Sequence, residues 1–160
     1  FYTNLTAYEN LDFYSRMYGI DDKDQRINKI VEVVGMSHRL HDRIGTLSRG
    51  MQQRLSIARA LLRDPQLLIF DEATSSLDSL TEDEISQTVK QISIDRQQIT
   101  VMIAHRLSTI MHANKIYVLE KGKVVETGKH DDLIADKGLY YAMWRQQIGE
   151  RKREVLSATQ

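Results

Sequence analysis

The sequence contains no cysteine, which excludes disulfide frameworks, thiolate catalysis and cysteine-ligated zinc sites. Proline occurs once, at Pro65, and glycine eight times among 160 residues. That is too sparse for a collagen-like chain or a Pro/Gly-rich linker. Neither sign of charge dominates, since 22 Lys+Arg face 22 Asp+Glu. A non-specific nucleic-acid binder needs a basic excess to neutralise phosphates, so no nucleic-acid partner is expected. Long apolar runs are also missing, and none approaches the roughly 20 residues that cross a bilayer. The opening Phe1-Tyr2-Thr3 starts no basic segment followed by an apolar one, the pattern of a secretory leader. What remains is the composition of a globular chain, 41% hydrophobic and 28% charged, with length enough for one domain and its core.

The texture changes near Asp64-Pro65. Before it the periodicity predicts helices. Thr6 is a fitting cap for a helix over Ala7–Tyr18, with Leu11, Tyr14 and Tyr18 on one face and Gly19 ending it. Asp22 or Asp24 can start a second over Gln25–Val34, whose Ile27, Ile30, Val31 and Val34 recur at helical spacing before Gly35. A third is expected over Met51–Arg63. After Pro65, Leu67–Phe70 and Ile99–Ala104 read as parallel strands buried on both faces. A polar helix is expected between them over about Ser79–Ser93, and a short one over Leu107–His112. Ile116–Leu119 and Val124–Thr127 flank a hairpin turn at Glu120–Lys123. Amphipathic helices over Asp131–Ala135 and Leu139–Ile148 finish the chain. Alternating strands and helices predict an α/β class behind an all-helical front module, divided as residues 1–64 and 65–160.

Three groups of residues have chemical potential. Asp71 and Glu72 follow a buried strand directly, and open α/β sheets bind ligands at that carboxyl edge. One acid there can hold Mg²⁺, directly or through water, and the other can orient an attacking water. A helix cap beside a solvated acid explains the pair equally simply. His105 ends the second strand and can donate to a phosphate oxygen, or merely to a backbone carbonyl. Ser48-Arg49-Gly50-Met51-Gln52 opens a helix, where free N–H groups and the helix dipole attract anions. A serine cap with a glycine explains that helix start without any ligand.

Order and spacing decide among these readings. Leu47–Met51, Leu67–Glu72, Ser76–Asp78 and His105 follow one another as the signature, Walker B, D-loop and switch histidine do in ATP-binding cassette (ABC) ATPases. The chain therefore resembles the nucleotide-binding domain of ABC transporters over nearly its whole length, to about Gly149. The resemblance implies a helical signature subdomain, residues 1–64, followed by the C-terminal half of a P-loop NTPase-type parallel-sheet core, residues 65–160. It implies ATP and Mg²⁺ as ligands, with Asp71 helping to hold the metal, Glu72 polarising the hydrolytic water and His105 sensing the γ-phosphate. Ser48, Arg49, Gly50, Met51 and Gln52 would meet the nucleotide held by a second domain, and Ser76, Leu77 and Asp78 would contact that domain. Its partners would be that second nucleotide-binding domain, paired head to tail, and a transporter's transmembrane domain. The location would be cytoplasmic, peripheral at the inner face of a membrane.

Two departures stand out. The family's signature usually reads Leu-Ser-Gly-Gly-Gln, whereas Arg49 and Met51 here replace a glycine and the glutamine. The P-loop, Gly-x-x-x-x-Gly-Lys-Ser/Thr, is absent: Gly122-Lys123 and Gly128-Lys129 are followed by Val124 and His130, and Tyr117 and Lys123 stand where the earlier glycine belongs. A P-loop-bearing N-terminal half is thus expected as a further partner. Asn4 to about Arg63 is most similar to cassettes with separate membrane chains, while Asp71–Asp78, Ala104–Thr109 and Gly128–His130 resemble exporters with a fused one. A seam between roughly Leu55 and Phe70 would make the chain a hybrid of two cassette subfamilies. An ATPase driving transport, a catalytically silent fragment and a soluble cassette acting on nucleic acid or ribosomes are the functions in play, with zero net charge against the last.

Overall fold

The computed structural model describes residues 1–71, 85, 87–90, 99–104 and 106–157, with the backbone course alone for 150–157. The chain forms two compact units, Phe1–Ile103 and Ala104–Gln160.

The first unit begins with α1, Ala7–Met17. Thr6 and Glu9 form a reciprocal capping box, in which each side chain meets the other's backbone N–H. Tyr18 closes the helix and Gly19 leaves it at φ 69°, a left-handed turn that glycine adopts without penalty. The second helix, α2, spans Lys23–Val33 with Asp22 at the cap position. It starts two residues earlier than the periodicity predicts, because polar residues extend a first turn without altering the apolar spacing. Helix α3 covers Arg49–Leu61 behind its cap Ser48. Leu11, Ile27, Ile30, Leu55 and Leu61 from the three helices are fully buried in one cluster. Each such side chain stabilises the fold by roughly 1.5–3 kcal/mol relative to exposure. The segment before α3 is stitched to the start of α1. Ala7 N–H donates to Asp42 at 3.0 Å, and Ile44 N–H donates to Leu5 at 3.0 Å.

Strands β1, Leu67–Asp71, and β2, Ile99–Ile103, pair in parallel with Leu67 opposite Ile99 and Asp71 opposite Ile103. Parallel pairing agrees with the sequence; burial on both faces does not. Leu68 and Phe70 enter the core, but Leu67 and Ile69 are 50% and 62% exposed and Ile99 is 65% exposed. Among the described residues β1 and β2 form a two-stranded sheet with nothing over its second apolar face. The expected helix over Ser79–Ser93 lies largely outside the described residues. Ile85 and residues 87–90 are helical, and Ile85 and Val89 join the core.

Arg26 fixes how α3 hands over to β1. Its guanidinium donates to the carbonyls of Leu62 at 3.0 Å and Leu61 at 2.8 Å, and pairs with Asp64 at 3.1 Å. Those carbonyls lie at the C-terminal end of α3, past the reach of helical N–H groups, and Leu61 O also accepts the N–H of Asp64 at 3.0 Å. Asp64 sits at φ 52°, a left-handed bend that Asp adopts more readily than most non-glycine residues, and the fork holds it in place. Arg26→Ala should therefore lower unfolding free energy by about 2 kcal/mol, the scale of charged hydrogen bonds left unmade. Arg26→Lys should recover only part of it, because an ammonium lacks the planar fork. Urea denaturation of the three proteins measures both.

In the second unit, residues 107–112 form no α-helix but a single 3₁₀ turn, Leu107–Thr109, a correction to the sequence expectation. The hairpin is present as β3, Ile116–Glu120, and β4, Lys123–Gly128, with Lys121 and Gly122 both at positive φ. That pairing of left-handed residues matches the twist of a two-residue hairpin loop. Helix α4, His130–Asp136, and helix α5, Leu139–Ser157, follow, the latter extending past Ile148. Glu126 on β4 caps α5 across the fold, its carboxylate accepting from the N–H groups of Leu139 and, at 3.0 Å, Tyr140. A Cβ on Gly138 would run into that carboxylate, so a side chain there would force the Glu126 cap to shift. Among the described residues no helix is long and apolar enough to cross a membrane.

Candidate functional site

Ser48 has extended backbone, φ −63° and ψ 161°, and its Oγ accepts the N–H of Met51 at 3.2 Å. This is the geometry of an N-cap serine. Because Oγ serves here as acceptor, its hydroxyl proton is left to be donated elsewhere. Ser48 and Arg49 are exposed, and Gly50 is buried. The first turn of α3 thus offers a hydroxyl, a guanidinium and the positive end of a helix to solvent. Met51 is half-buried and packs against the apolar core, so the residue standing for the family's signature glutamine is a packing residue in this structure.

Gln52 turns backward. Its side-chain amide donates to the carbonyls of Leu47 at 3.0 Å and Ile44 at 3.3 Å. Two carbonyl acceptors fix the amide's orientation, since only its NH₂ end can donate. Arg54 donates to Val34 O at 3.3 Å, capping the end of α2, and a Cβ on Gly35 would stand 3.0 Å from that guanidinium. Neither tie is signalled by local sequence pattern, because the acceptors are main-chain atoms.

Asp71 is the last residue of β1 and is exposed. The structure gathers Ser48–Gln52 at one helix start and sets Asp71 at the carboxyl end of a parallel strand. Glu72, Ser76, Leu77, Asp78 and His105 lie outside the described residues. Among the described residues no group of three or more His, Cys, Asp or Glu stands close enough to hold a metal alone. A single exposed carboxylate fits Mg²⁺, which usually takes one or two carboxylates together with waters and substrate phosphates.

A parallel strand pair beside a helical module, with an acid at the strand end, is an α/β arrangement, and the comparisons with known proteins make it one of the P-loop NTPase type. A family model for the ABC transporter matches residues 1–75. The chain is 50% identical over 115 residues to multidrug resistance protein 1 of Entamoeba histolytica, covering 72% of this chain and 9% of that protein. It is 41% identical over 157 residues to the mitochondrial iron–sulfur clusters transporter ABCB7 of Danio rerio, covering 90% and 21%. Against the ATP-dependent lipid A-core flippase of Francisella novicida it is 45% identical over 143 residues, covering 84% and 24%. The solved structure of a bacterial Atm1-family ABC exporter with ATP bound superimposes with a TM-score of 0.71 at 33% identity, covering 90% of this chain and 26% of that one. The chain belongs to the ABC transporter family, with its likeness in the nucleotide-binding domain. It spans no more than about a quarter of the length of these relatives.

Proposed function

We propose that this chain is the signature- and Walker B-bearing part of an ATP-binding and ATP-hydrolysing domain that drives transport across a membrane. The observation carrying this reading is the likeness to an exporter solved with ATP bound, over 90% of this chain. In this reading residues 1–64 form the signature subdomain and residues 65–160 the C-terminal part of the ATPase core. The domain lies at the cytoplasmic face of a membrane beside a transmembrane domain. It pairs head to tail with a second nucleotide-binding domain, as a closed twofold dimer allows.

The division of labour follows from chemistry. Ser48 donates its hydroxyl to the γ-phosphate of a nucleotide held on a P-loop across the interface, and Arg49 and the open amides of α3 add positive potential. Asp71 is the residue that would hold Mg²⁺, which neutralises charge between the β- and γ-phosphates when bound. Glu72 orients and polarises the attacking water, His105 reports the γ-phosphate, and Asp78 with Ser76 and Leu77 meets the partner domain.

Replacing Ser48 with Glu tests this arrangement. A carboxylate at that position repels the γ-phosphate, so ATP-driven dimerisation should disappear. The lost cap should cost only about 1 kcal/mol, leaving the helical module folded. Light scattering with and without ATP, beside a circular-dichroism melt, separates the two effects; unchanged dimerisation removes Ser48 from the nucleotide site.

A further inference from the structure

We infer that Gln52 is a positioning residue for Ser48 and not itself a contact to the nucleotide. The inference rests on the ATP-site reading of the helix start given above. Its own basis is the pair of hydrogen bonds from the Gln52 amide to Leu47 O and Ile44 O, at 3.0 and 3.3 Å. Those acceptors bracket the 3₁₀ turn Ile44–Thr46 and the residue just before Ser48. The turn is anchored from its other side: Ile44 N–H donates to Leu5 O, Gly45 N–H donates to Thr3 O at 3.0 Å, and the side chains of Ile44 and Leu47 are buried. Gln52 closes the remaining gap by clamping the turn onto the first turn of α3. Ser48 lies inside that clamp, with its backbone carbonyl accepting Gln52 N–H at 2.9 Å and its Oγ accepting Met51 N–H.

The consequence is directional. With both amide hydrogens engaged by carbonyls, the NH₂ end of Gln52 has no donor left for a phosphate. Releasing the clamp lets the 44–47 turn move relative to α3 and shifts the Ser48 hydroxyl. A displacement of about 1 Å at a group that meets reacting phosphates can cost up to roughly a hundredfold in rate. What the position needs is a donor, so charge and polarity at residue 52 should matter in a definite order.

In the assembled ATPase, Gln52→Ala should lower kcat/KM for ATP about tenfold or more. Gln52→Glu should do at least as badly, since a carboxylate accepts only and repels both carbonyls. Gln52→Lys, which restores a donor of similar reach, should recover most of the activity. In a Ser48→Ala background, Gln52→Ala should cost less than about twofold further, because residues acting through one another are non-additive. Hydrogen exchange at the Met51 amide should quicken in Gln52→Ala with little change in melting temperature. Independent, multiplying losses from Ser48→Ala and Gln52→Ala, or a Gln52→Glu enzyme as active as the parent, would overturn the positioning role. Should Gln52→Ala unfold the module, the Lys and Glu variants carry the comparison. An unaltered Ser48→Ala enzyme is a separate result: it removes the ATP-site reading and the clamp's function with it.

Discussion

Glu72→Gln in the assembled ATPase should slow hydrolysis at least about a hundredfold while ATP remains bound. A positioned general base or water-orienting group contributes about 10²–10⁴ to rate. Gln keeps the size of Glu but cannot take or strongly polarise a proton. Glu72 follows Asp71 in sequence, and Asp71 is the exposed residue that ends a parallel strand; the proposal gives the two acids different work. Asp71 is proposed to hold the metal, so its loss should weaken binding as well as turnover. Glu72 is proposed to act on the water, so its loss should trap the nucleotide. A single-turnover assay with labelled ATP, beside an equilibrium titration, separates the two. Parent-like hydrolysis by Glu72→Gln would move the base elsewhere, whereas loss of binding would mean that residue 72 shares the metal's role.

Much of the helical module was legible because its signals are local. Thr6 announces the start of α1; Gly19 and Gly35, both at positive φ, announce helix ends; the spacing of Ile27, Ile30 and Val31 gives the buried face of α2. The hairpin was legible from Gly122 between two short β-branched runs. The burial of β1 and β2 was not. Leu67–Phe70 has the composition of a strand covered on both faces, and composition records what a complete sheet would bury, not which cover is present in these residues. Long-range capping was equally invisible. Nothing near Leu139 predicts that Glu126 caps α5, and nothing near Val34 predicts Arg54. At the candidate site, the helix start at Ser48 and the strand end at Asp71 were where the motifs put them. Gln52 was grouped with the ligand residues because motif spacing cannot tell a side chain that faces forward from one folded back onto its own main chain.

Expressed alone, the 160 residues should neither bind ATP tightly nor hydrolyse it, and they should self-associate. The first half of the expectation is electrostatic. A triphosphate is held by converging backbone amides and a lysine, and no Gly-x-x-x-x-Gly-Lys-Ser/Thr segment occurs in the sequence. The strand end presents Asp71, a negative charge that without Mg²⁺ and a P-loop repels phosphate. Ser48 and the first turn of α3 supply one hydroxyl and a few amides, enough to complete a nucleotide site but not to make one. The second half is hydrophobic. Among the described residues, Leu67 and Ile69 on β1 and Ile99, Val101 and Ile103 on β2 form one exposed apolar face on a two-stranded sheet. A contiguous face of this kind on a soluble protein favours burial against another molecule, and edge strands add main-chain donors and acceptors to the contact. Replacing Ile69 and Val101 with Lys or Thr should return the chain to a monomer without disturbing Leu68 and Phe70 on the core side. Isothermal calorimetry should show no ATP binding in the micromolar range. Light scattering should give a mass well above 18.5 kDa for the parent chain and near it for the doubly substituted one. Adding a domain that carries the P-loop should raise ATP affinity and suppress self-association together, because in this reading it supplies the phosphate cradle and covers the open face of β1 and β2. Micromolar ATP binding and steady turnover by a pure monomer of the parent chain would place a phosphate cradle within these residues.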